Sequence, residues 1–115
     1  MQDTQLAVRT NRYVADVPIP EGFERNERES NYTTAADSRR ILEVYEGSAP
    51  PIKVRNFFLT NMPASGWKFE SESLEGSVYS LNFSKGREHC GVKVARKSER
   101  GLRPPTEARV LIETR

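Results

Sequence analysis

The stretch from Ser48 to Trp67, SAPPIKVRNFFLTNMPASGW, constrains this chain more than any other. At about 100° per residue, Val54, Phe58 and Met62 form a central apolar stripe, flanked by Phe57 and Leu59. Lys53, Asn56 and Thr60 fall on the opposite side. Ser48 is placed to cap the N-terminus, and Pro50-Pro51 suit a first turn whose N–H groups lack partners. Pro63 cannot continue a regular helix, and Gly66 can supply a left-handed exit. The pattern predicts one amphipathic helix over about residues 49–62, set between β-like runs.

Those runs supply the rest of the fold. Arg40–Glu46 (RILEVYE) places Ile41, Leu42, Val44 and Tyr45 on both faces, which reads as an interior strand. After the helix, Trp67, Phe69 and Ser71 alternate with charged residues up to Glu75-Gly76. Tyr79, Leu81 and Phe83 alternate with Ser80, Asn82 and Ser84 up to Lys85-Gly86. Cys90, Val92 and Val94 then alternate with His89, Gly91 and Lys93. Period-two patterns broken by Gly turns predict a meander of hairpins. Ala108–Glu113 reads as a last strand with Val110 and Ile112 inward, and Tyr32-Thr33-Thr34 as a short early one.

The expected fold is α+β: a single helix on a mostly antiparallel sheet of about five to six strands, in the order β-(β)-α-β-β-β-β. The strands before and after the helix should run parallel through a right-handed crossover. Residues 1–22 read as an extended lead-in with Pro18-Ile19-Pro20, and 23–115 as one domain. Residues 23–31 are dominated by charge and read as exposed or irregular. The expected core is Val54, Phe58, Met62, Trp67, Phe69, Tyr79, Leu81, Phe83, Cys90, Val92, Val94, Val110 and Ile112.

Composition removes several function classes. A chain of 115 residues can bury enough surface to fold without metals or disulfides. A single cysteine excludes an internal disulfide and a Cys-based zinc site. No apolar run reaches the length of a membrane span. The first 23 residues contain no apolar core of a signal peptide. With 18 Lys and Arg against 16 Asp and Glu, the net charge of +2 argues against a general nucleic-acid binder.

Candidate chemistry is sparse. His89-Cys90 resembles a nucleophile beside its base, but neighbours on a strand point to opposite faces and cannot meet. Cys90 therefore reads as a small core hydrophobe. His89 points outward or to the second sheet face and has no other histidine to share a metal. Gly-rich phosphate loops, GxSxG and His–carboxylate metal spacings are all missing. No catalytic, metal or cofactor-binding residue is assigned. Arg96, Lys97, Arg100 and Arg103 form a basic group, interrupted by Glu99, that could contact phosphates or an acidic partner. No RNP-type aromatic motif accompanies it.

Four pieces in order, ADVPIPEGF (15–23), LEVYEGSAP (42–50), VRNFFLTNMPASGWKF (54–69) and LNFSKGREHCGVKV (81–94), resemble a family of small uncharacterised bacterial proteins. Many of these are predicted lipoproteins or exported proteins. The resemblance implies a cell-envelope location and a protein or envelope component as partner, but no activity. The matching positions Gly47, Met62, Pro63, Gly66, Trp67, Gly86 and Cys90 have turn, helix-end or core roles. The sequence thus points to a non-enzymatic α+β module that binds or scaffolds. The alternatives are polyanion binding through residues 96–103 and an enzyme whose site is assembled from distant segments.

Overall fold

A computed structural model describes residues 5–9, 11, 13–97 and 104–115. The chain forms β1 (Val8–Arg9), β2 (Ile19–Pro20), β3 (Glu24–Arg25), β4 (Asn31–Ala35) and β5 (Ser38–Gly47). Helix α1 (Pro51–Asn61) follows, extended by a 3₁₀ turn over Pro63–Ser65. Strands β6 (Lys68–Glu75), β7 (Val78–Lys85), β8 (Glu88–Arg96) and β9 (Thr106–Thr114) complete it. The α+β class agrees with the sequence pattern. The strand count does not: among the described residues nine strands form, seven of them in one sheet, rather than five to six. The additional two-residue pairings lie in the proline-containing and charged segments, which are too short to carry a period.

The main sheet runs β3-β5-β9-β8-β7-β6, with β4 also paired to β5, and every pairing is antiparallel. Alternation makes β5 and β6 point the same way, as expected. They are not neighbours, however, because β9, β8 and β7 lie between them. The α1 connection therefore carries the chain from one side of the sheet to its far edge.

The helix begins later than its sequence suggests. Pro51 occupies the first turn, and a proline pushes the residue before it out of the helical region. Pro50 is accordingly extended (φ −62°, ψ 148°) and is itself the N-cap, without a side-chain cap, so Ser48 does not serve. The exit follows expectation: Gly66 takes φ +94° and closes the 3₁₀ turn by donating to the Pro63 carbonyl at 3.0 Å.

Val54, Phe57, Phe58 and Met62 bury against one face of the sheet, where Leu81, Phe83, Cys90, Val92, Val94, Val110 and Ile112 point inward. Trp67 is 1% exposed. Two expected core residues differ. Tyr79 is only partly buried. Phe69 is 45% exposed, because β6 is the sheet edge; its ring meets that of Phe83 in an edge-type contact, 5.9 Å between centroids. Conversely, Val14, Val17 and Ile19, from the segment read as a lead-in, join the core together with Phe23.

Two polar devices hold that early segment down. The Asp16 carboxylate accepts from Lys85 Nζ at 2.7 Å and Arg39 Nη2 at 2.9 Å, and Arg39 also pairs with Glu88. The Asp16 carbonyl accepts from the Trp67 indole at 2.8 Å. Burial acts to raise the Asp16 carboxyl, but the hydrogen bonds from Lys85 and Arg39 outweigh it and hold the group below its ordinary value of 3.8. The folded state therefore binds this proton less readily than the unfolded one. Its stabilisation is complete above that ordinary value and is lost as pH falls through the folded value. Asp16→Asn should flatten the acid limb of the stability–pH curve, read from urea midpoints between neutral and strongly acidic pH.

The second device is buried. Glu43 points to the helix side, opposite Val110, and is 2% exposed. Arg25 holds it through Nε and Nη2 at 3.0–3.1 Å, and the Tyr45 hydroxyl donates to it at 2.6 Å. Asn11 donates to the same hydroxyl at 2.9 Å and to the Val17 carbonyl at 3.1 Å. Burial, with the Glu43 carboxylate alongside, pushes the Tyr45 phenol far above its ordinary value, so it stays a donor.

Candidate functional site

Because α1 covers one face of the sheet, the other face is left open across β9, β8, β7 and β6 and is half-covered at Leu42 of β5, whereas Val44 on that same face is fully buried. The strand registers arrange its side chains in rows. One row reads Leu42, Leu111, Gly91, Asn82, Ser71. The row on one side reads Val44, Arg109, Lys93, Ser80, Ser73, and that on the other reads Arg40, Glu113, His89, Ser84, Lys68.

Gly91 sits at the centre, and the missing side chain leaves a hollow. The cavity there measures about 360 Å³, with Leu42, Leu111, Asn82, His89, Lys93 and Arg109 among its lining. A Cβ on Gly91 would meet only His89 Cε1 at 3.6 Å and Asn82 Oδ1 at 3.9 Å, ordinary contact distances. Its φ is not positive. Neither sterics nor backbone conformation therefore requires glycine here, although glycine weakens a strand interior. What remains is the space it leaves, of the kind that allows close approach of another molecule.

The rim of the hollow is polar. His89 Nε2 lies 3.0 Å from Asn82 Oδ1, which fixes both side chains across β7 and β8. Lys93 stands directly opposite Arg109, a like-charge pair that costs stability. Arg109 pairs with Glu29 at 2.9 Å and Glu107 at 3.5 Å. Lys93 is exposed and meets no carboxylate among the described residues. The hollow thus joins a half-buried apolar wall of two leucines to an uncompensated ammonium.

Beyond it, Glu29, Glu46 and Glu107 bring carboxylate oxygens within 4.8 Å of one another. Lys97 pairs with Glu46 at 2.7 Å and Glu29 at 3.7 Å, Arg109 spans Glu29 and Glu107, and Asn26 donates to Glu46 and Glu29. The cluster is an ion-pair network whose cations come from the protein itself.

Of the basic group read from sequence, Lys97 is therefore drawn into that network. Arg96 is exposed and donates to the Pro104 carbonyl at 3.1 Å. Arg100 and Arg103 lie outside the described residues. Cys90 is fully buried on the helix side, and burial pushes its thiol up to about 12, so it is not a nucleophile at neutral pH. His89 lies on the opposite face, as strand alternation requires. The sequence reading passed over Gly91, Asn82, Lys93 and Leu111 as site residues. The available signal was a glycine in the middle of an alternating strand, HCGVKV.

Among the described residues no helix is long and apolar enough to cross a membrane. A family model described as START domain-like matches residues 25–106. The match spans β3 through the start of β9 and so includes the whole hollow except Leu111 and Arg109. It names neither a lipoprotein nor an envelope protein. No curated protein and no solved structure matches the chain.

Proposed function

The chain belongs to the START domain-like family, and we propose that it is a non-enzymatic ligand-binding module whose binding surface is the open face of the main sheet. The observation that carries this reading is the hollow over Gly91, which no structural requirement of the strand explains. An apolar body rests against Leu42 and Leu111, approaching the backbone at Gly91. An anionic group meets Lys93, with Arg109 adding to the local positive field. His89 and Asn82, already bonded to each other, form a fixed polar edge. The ligand class is a small amphiphilic anion, such as an aromatic or aliphatic carboxylate, sulfonate or phosphate.

Envelope residence, implied by the resemblance at 15–23, 42–50, 54–69 and 81–94, is compatible with such a module and draws no support from the family match. Polyanion binding through Arg96, Lys97, Arg100 and Arg103 is less favoured, because Lys97 already serves Glu46 and Glu29.

The test is a titration of the isotope-labelled full chain with an anilinonaphthalene sulfonate, followed by amide chemical shifts. Saturable shifts should centre on Asn82, Gly91, Lys93 and Leu111. Lys93→Glu should weaken binding about tenfold or more, the worth of one charge-assisted hydrogen bond. Saturable shifts centred on α1 or on β1 and β2 instead, or no saturable binding, would refute the assignment.

A further inference from the structure

The edge strand β6 carries a pattern that neither the core nor the hollow uses. Among the described residues it pairs with β7 alone, and all eight of its residues are exposed. A long exposed edge offers unpaired N–H and C=O groups to another strand. Two large apolar side chains sit on it, Phe69 at 45% and Leu74 at 56% exposure. A register shift between Phe69 and Ser71 marks a bulge at Glu70. Because of it, Phe69, Glu72 and Leu74 share the helix side, opposite Phe83, Leu81 and Tyr79. Lys68, Ser71, Ser73 and Glu75 share the other side.

We propose that β6 is a self-association edge, pairing antiparallel with β6 of a second copy in the register that sets Phe69 opposite Leu74. The two-fold repeats every contact. Phe69 meets Leu74 twice, and Lys68 meets Glu75 twice. With the bulge present in both strands, Ser71 lies opposite Ser73 and Glu72 opposite its own symmetry mate. That one like-charge contact is relieved in advance, since each Glu72 is held by Arg55 of its own chain at 2.6 Å. Beside Leu74 lies a hollow of about 510 Å³ whose lining includes Pro50, Pro51, Ile52 and Tyr79. It can receive the incoming Phe69 ring.

Other registers lose these matches. Moving the partner two residues one way sets Phe69 against Glu72. Moving it two the other way sets Phe69 against the turn at Gly76. The side chains therefore specify a single register, as strands with an apolar face tend to do. The symmetry axis stands perpendicular to the sheet, so both helices lie on one side and both Gly91 hollows share the other. A pair of eight-residue strands is a small interface, which implies a weak dimer formed at high concentration.

Sedimentation equilibrium of the full chain, from micromolar to millimolar concentration, tests the proposal. A monomer–dimer equilibrium is expected. Lys68→Glu and Glu75→Lys should each weaken it about tenfold or more, because each places two like-charge contacts in the interface. The double variant Lys68→Glu/Glu75→Lys should recover the original association. Far-ultraviolet circular dichroism checks that each variant is folded, and Leu74→Lys, at a mostly exposed position, provides an independent disruption. A chain that stays monomeric throughout, a dimer indifferent to the single charge changes, or a double variant that does not recover would overturn it.

Discussion

Trp67→Ala is expected to lower the unfolding free energy by about 3–5 kcal/mol, the range for removing a large buried aromatic. Trp67 is 1% exposed and stands where the helix exit, the sheet end and the early segment meet. Its indole N–H donates to the Asp16 carbonyl at 2.8 Å. Its ring lies 4.7 Å from Lys85 Nζ, and Lys85 also donates to the Ser65 carbonyl at 2.9 Å. Truncation leaves a cavity and removes the clamp on residues 13–19 together. Set against a typical total of about 5–15 kcal/mol, the loss is a large fraction of what holds a domain of this size. Urea denaturation followed by circular dichroism reads it directly. Trp67→Phe should fall between the two, because it keeps most of the packing and loses the hydrogen bond. A Trp67→Ala loss below about 1 kcal/mol, the scale of an ordinary surface change, would contradict this placement.

Glu43→Ala should have a loss of similar size, about 3–5 kcal/mol, for an electrostatic reason. The carboxylate is buried, and three groups depend on it: Arg25 directly, Tyr45 through its hydroxyl, and Asn11 through Tyr45. Its removal leaves the Arg25 guanidinium, itself mostly buried at 16% exposure, without its partner. A buried ion pair contributes little over apolar residues of the same shape, whereas half a pair is costly. The double variant Arg25→Met/Glu43→Leu should therefore be more stable than Glu43→Ala alone. Urea midpoints of the three proteins check the order. If the double variant is the least stable, the pair stabilises the fold in its own right.

Much of this fold was legible because its elements are long and periodic. Val54, Phe58 and Met62 bury as the helical stripe requires, and β7, β8 and β9 alternate as their residues do. The misreadings have local causes. Glu43 falls at an inward position, where a charge contradicts binary patterning; Arg25, eighteen residues earlier, and the Tyr45 hydroxyl make it tolerable. Phe69 alternates correctly, but pattern alone does not say which strand becomes the edge. Val14, Val17 and Ile19 are core residues inside a polar, proline-containing segment, which has no period to reveal them.

The site was harder to read than the fold for a related reason. Its floor is an absent side chain, and its apolar wall forms only because β5 pairs with β9, far away in sequence, which sets Leu42 opposite Leu111. His89 and Cys90 stand out as a pair in sequence, yet they face opposite sides of β8. His89 instead finds Asn82 on the next strand. Lys93 and Arg109 acquire meaning only when the register sets them opposite each other.

If the hollow binds a ligand, Gly91 is glycine for the sake of that ligand and at the expense of the strand. The most direct measurement is paired: stability and anilinonaphthalene sulfonate affinity of Gly91→Val, with Gly91→Ala as its milder counterpart. The added Cβ meets nothing closer than 3.6 Å, and β-branched residues suit a central strand. Both variants should be at least as stable as the parent, the alanine by about 0.5–1 kcal/mol. Valine fills the hollow, so probe affinity should fall about tenfold or more. A Gly91→Val protein that binds the probe as tightly as the parent, or a Gly91→Ala protein that is clearly destabilised, would contradict the account.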